Sequence, residues 1–124
     1  MASAGPRVQL AFGRLQMQEQ RVNSLVRRAD DFRAQITQTQ DEIVRQTDAL
    51  EKMQRALQQN VNLDERNQLE SQMPFMKRQI AQRTAELQRL NAEEADAASQ
   101  LTAEQSRWTE INQRLEELER ALAK

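Results

Sequence analysis

The chain carries two heptad frames that cannot be one. In the first, Leu15, Val22, Ala29, Ile36, Ile43, Leu50 and Leu57 recur every seven residues, with Gln18, Leu25, Phe32, Thr39, Gln46 and Met53 between them. This alternation of three and four is the spacing of a coiled-coil seam, with the first set at a and the second at d. In the second, Met73, Ile80, Leu87, Leu101, Trp108, Leu115 and Leu122 stand at a, and Leu69, Met76, Arg83, Leu90, Ala97, Ile111 and Leu118 at d. Glu94 at a and Glu104 at d interrupt it with charge. The second frame is offset from the first by two residues. Coiled coils absorb insertions of three or four by local over- or unwinding, so an offset of two marks a break.

Asn60, Val61 and Asn62 supply that break, since Asn competes for the backbone and tolerates left-handed geometry. Asn62 followed three residues later by Glu65 starts a new helix in the manner of a capping box, with Asp64 and Glu65 in the first turn. Folding the chain there sets Leu57 opposite Leu69, Met53 opposite Met73 and Leu50 opposite Met76. The same register sets Ile36 against Leu90, Ala29 against Ala97, Leu25 against Leu101 and Leu15 against Ile111. Every pair joins an a to a d position, as an antiparallel seam requires.

The expected fold is therefore all-α: a long two-helix antiparallel coiled-coil hairpin, able to dimerise into a four-helix assembly. Residues 1–6 form an irregular leader, and 7–124 a single hairpin. Its first helix covers about 7–59, its tip about 60–63 and its second helix about 63–122. Pro74 inside the second frame predicts a kink, because proline removes a backbone hydrogen bond and clashes with the carbonyl four residues back. The competing expectation enlarges the tip and starts the helix near Pro74, where proline is welcome. Composition agrees with long helices: 124 residues hold two Gly and two Pro, and 38% are hydrophobic, enough for one stripe per helix.

Function is constrained chiefly by exclusion. The chain has no His and no Cys, so imidazole and thiol chemistry are absent, and no Gly-rich phosphate loop occurs. Adjacent carboxylates such as Asp30/Asp31 and Glu116/Glu117 read as solvated helix surface. No enzyme, cofactor or metal is expected. The net charge of -1 does not suit a nucleic-acid groove, although Arg21, Arg27, Arg28 and Arg33 cluster on the first helix. No apolar stretch approaches the ~20 residues that cross a bilayer, and no secretory signal opens the chain.

What remains is a surface for partners. Trp108 is the only Trp and fills the seam opposite Gln18, or anchors a partner. Glu94 faces Phe32, Glu104 faces Val22, Arg83 faces Ile43 and Gln46 faces Ile80 in this register; their long stems cover the seam while their heads reach water. Arg14 lies across from Arg114, Arg21 from Arg107 and Glu42 from Glu86, like charges on one flank that two hairpins could match against each other. Phe12 and Val26 make the other flank mildly apolar, and Val44 and Phe75 face outward toward the tip. The candidate contact residues are thus Trp108, Phe12, Val26, Val44, Phe75, Arg14, Arg21, Glu42 and Glu86. They point to a structural module that scaffolds, spaces or oligomerises through a protein partner or a second copy. The alternative expectation is a nucleic-acid-binding helical arm. In length and hairpin shape the chain also resembles the coiled-coil stalk components of flagellar and type III secretion export machinery, a likeness that implies a stalk role.

Overall fold

The computed structural model describes residues 4–59 and 62–123. Two helices account for nearly all of them: α1, Ala4–Gln58, and α2, Leu63–Ala123. They pack against each other as an all-α helical hairpin.

The helix ends follow from local chemistry. α1 begins at Ala4, earlier than the expected start at residue 7, and takes Gly5 and Pro6 into its first turn. Proline costs nothing there, because the first-turn N–H groups have no partner inside the helix in any case. Of the expected leader, residues 1–3 lie outside the described residues, as do Asn60 and Val61 of the expected tip and Lys124. α1 closes with the Gln59 N–H shared between the carbonyls of Arg55 at 3.3 Å and Ala56 at 3.2 Å. α2 opens on Asn62, whose Oδ1 accepts the Glu65 N–H at 2.8 Å and whose carbonyl accepts the Arg66 N–H at 3.0 Å. Asn62 therefore acts as an N-cap and not as a left-handed turn residue; no described residue outside glycine has a positive φ. α2 runs unbroken through Pro74, so the helix does not start there. Pro74 and Glu70 are both exposed, which leaves the carbonyl deprived of its partner beside water.

The chain divides into two compact units: Met1–Asp31 with Glu94–Lys124, and Phe32–Glu93. In the first, Leu15, Ala29, Ala97 and Leu115 are buried, and Ala29 and Ala97 are only 2% exposed. In the second, Leu90 is 1% exposed and Thr39 is also buried. Gln18 of the first frame is buried as well, and the remaining residues of both frames are half-buried, with one exception. That is the natural state of a two-helix layer, where each side chain is covered by one partner only. Leu122 is the exception: it is exposed, because the last turn of α2 has no following turn to cover it. The first frame also starts one heptad earlier than expected, since Val8 and Ala11 are half-buried at its a and d positions.

Candidate interaction surfaces

Polar seam residues do more than reach water. In the first unit Gln18 is 4% exposed, and its Nε2 donates to the Glu104 main-chain oxygen at 2.8 Å and to the Glu104 carboxylate. Gln18 thus meets α2 at the carbonyl that the helix directs toward the N–H of Trp108, its expected opposite. A buried amide without partners costs far more than one that finds an acceptor, and Glu104 offers two. The other Glu104 oxygen accepts from Arg107 at 2.9 Å. Arg107, expected to confront Arg21, is therefore satisfied on its own helix, three residues from its partner. In the second unit Arg83 forms an ion pair with Glu42 on the neighbouring helix, so neither head is left to water alone. Gln46 donates to Gln79 at 3.4 Å, while its Oε1 is buried without a hydrogen-bond partner among the described residues. As residue number rises from Glu42 to Gln46 on α1, the partner falls from Arg83 to Gln79 on α2.

The candidate contact residues do not form one site. In the first unit Phe12 and Val26 are exposed on one flank of α1. Trp108 lies half-buried, donates from Nε1 to Glu19 at 3.3 Å and walls a groove of about 460 Å³ with Val22, Asn23, Gln105 and Thr109. The single Trp is thus a half-buried residue of the second frame that also walls a groove. Arg14 and Arg21 are exposed on the opposite flank, where Arg21 and Met17 border a groove of about 470 Å³ above Leu25, Gln100 and Glu104. Arg14, Met17 and Arg21 also line a smaller hollow over Gln18 and Ile111. In the second unit Val44 and Phe75 are exposed. Glu42, expected from sequence to be a charge awaiting a partner, is held by Arg83; Glu86 stands 3.9 Å from Arg89. These two are therefore engaged within the chain.

Sequence reading missed Leu10 and Met17, which are 57% and 58% exposed. The signal was available: they stand three residues after Arg7 and Arg14, on the flank of α1 that carries those arginines. Reading that flank in opposed pairs across the hairpin hid the pattern that runs along one helix. Among the described residues no group of three His, Cys, Asp or Glu is placed to hold a metal ion, and no helix is long and apolar enough to cross a membrane.

No family model matches the chain, and no curated protein or solved structure matches it either.

Proposed function

We propose that this chain is a protein–protein interaction module, an antiparallel coiled-coil hairpin that scaffolds, spaces or joins partners and performs no catalysis. One observation carries the reading. The seam covers the apolar residues of its two frames except Leu122, yet large apolar side chains remain outside it: Leu10, Phe12, Met17, Val44 and Phe75 are all more than half exposed. Large apolar groups repeated along a flank, beside arginines, are what a second contact leaves on a free module. Hairpin helices also suit the task, because their side chains are fixed at regular intervals without a globular core.

Two measurements test this. Light scattering across a concentration series reads self-association, and cross-linking of the tagged full chain in its native source reads protein partners. The reading expects at least one to be positive and to weaken when Phe12, Leu10 and Met17 are made Ser. A chain that stays monomeric and cross-links to no protein refutes it. Saturable RNA binding that survives physiological salt would instead favour a nucleic-acid arm.

A further inference from the structure

The flank of α1 that carries Arg14 and Arg21 holds a second heptad pattern. Arg7, Leu10, Arg14, Met17 and Arg21 follow one another at spacings of three and four. That is the spacing of a helix–helix seam, displaced from the one that packs α1 on α2. Its apolar members, Leu10 and Met17, are more than half exposed. Between residues 5 and 25 the only acidic residue on α1 is Glu19, and it is turned to Trp108 on the other flank. Among the described residues no carboxylate lies within ion-pair distance of Arg7, Arg14 or Arg21.

The corresponding row of α2 is built differently. It reads Arg107, Glu110, Arg114, Glu117, so each arginine is followed three residues later by a carboxylate. Opposite charges at i,i+3 lower the net charge of this row, although the ion pair that Arg107 forms is with Glu104. The α2 edge is balanced, whereas the α1 edge alternates positive charge with apolar side chains. The grooves bordered by Met17 and Arg21 lie between the two edges and expose parts of Leu25 and Ile111.

We propose that the α1 edge formed by Arg7, Leu10, Arg14, Met17 and Arg21 is the docking site for an acidic amphipathic helix of a partner protein. The occupant is a helix because the edge repeats at helix-seam spacing. It is acidic because heptad-spaced arginines call for carboxylates about 10.5 Å apart along the partner. A different protein is the proposed source because on the corresponding α2 edge Glu110 and Glu117 alternate with Arg107 and Arg114, which would set arginine against the arginines of the α1 edge. The proposal rests on the interaction-module reading and names its surface.

The test uses the full chain and a fluorescent synthetic peptide with Leu at three-four spacing and Glu at the flanking positions. Three further probes accompany it: a scrambled peptide of the same composition, a version with Lys in place of Glu, and an RNA duplex. Wild type is expected to bind the ordered peptide one to one. The double variant Arg14→Glu/Arg21→Glu is expected to lose about tenfold or more in affinity and to regain it with the Lys peptide. Leu10→Ser/Met17→Ser is expected to weaken binding by a similar factor, with helix content by circular dichroism unchanged in both variants. Equal binding of the scrambled peptide, or variants that bind like wild type, would overturn the proposal. RNA bound more tightly than the peptide would overturn it in favour of a phosphate polymer. A wild-type dimer that the arginine double variant abolishes would assign the edge to a second copy. If wild type ignores the peptide but still cross-links to a protein, the edge is wrong and the module stands. If it neither binds the peptide, self-associates nor cross-links, both fall.

Discussion

The layer formed by Gln18 and Glu104 gives the sharpest test of how this hairpin is held. Gln18→Leu removes both hydrogen bonds that the amide donates, one to the Glu104 main-chain oxygen and one to its carboxylate. The Glu104 side chain is only 17% exposed and keeps Arg107 alone, so it is left short of donors in a place water reaches poorly. Losing a bond to a charged group while the charge stays put costs about 1–2 kcal/mol. Glu104→Leu is milder. Gln18 retains the main-chain acceptor at 2.8 Å, and Arg107, whose side chain is 62% exposed, turns to solvent; about 0.5–1 kcal/mol is expected. The double variant replaces the polar layer by two leucines and leaves no orphan, so its stability should lie within about 0.5 kcal/mol of wild type or above it. The single costs would then exceed the double by about 2 kcal/mol, well beyond the ~0.5 kcal/mol expected of independent sites. Urea titration followed by Trp108 fluorescence suits the measurement, since Trp108 is the only Trp and lies in the same unit. Costs that simply add would mean that the two side chains do not depend on each other, and Gln18 and Glu104 could not then be one polar layer of the seam.

Four other substitutions probe separate parts of the hairpin. Leu90→Ala, at the most buried side chain, should cost about 2–4 kcal/mol in urea titrations followed by circular dichroism; a loss below ~1 kcal/mol would mean that the helices close over the gap without penalty. Pro74→Ala should raise stability by about 1–3 kcal/mol by restoring the hydrogen bond to Glu70, and a fall in the thermal midpoint would show that the proline is needed where it stands. Gln46→Leu should stabilise by about 1 kcal/mol, because it removes a buried oxygen that has no partner; destabilisation would indicate that the amide is better satisfied than its geometry implies. Arg83→Gln should cost less than about 1 kcal/mol despite breaking the pair with Glu42, because the arginine is 39% exposed and water screens the charge, and raising the salt concentration should shrink the difference further.

The hairpin itself was legible in the sequence because its code is redundant. Leu15, Val22, Ala29 and the rest of the two frames repeat one requirement many times, so a polar intruder such as Gln18 or Arg83 does not obscure it. The turn was legible for a different reason: a frame shift of two residues has no coiled-coil solution, and Asn62 with Glu65 supplies a cap where one is needed. The early start of α1 was missed because Gly5 and Pro6 look like a leader, and only their position in a first turn makes them helical.

The polar seam was harder to read, for a physical reason. Heptad position fixes which way a side chain leaves the helix, but a long polar side chain spans a full turn and chooses among several acceptors. Gln18 therefore donates to Glu104, Arg107 turns to the same carboxylate, and Arg83 takes Glu42. Arg107 and Glu42 are engaged inside the hairpin, whereas Arg7, Arg14 and Arg21 on α1 and Arg114 on α2 have no carboxylate within ion-pair distance among the described residues; on α1 the arginines alternate with Leu10 and Met17, on α2 with Glu110 and Glu117. That asymmetry between the edges of α1 and α2 is what gives the surface a direction. A partner matched to the α1 edge has no comparable target on α2, where Glu110 and Glu117 alternate with the arginines. Exchanging Leu10 and Met17 for glutamate would copy the α2 pattern onto α1, and would remove the docking edge while leaving every seam contact in place.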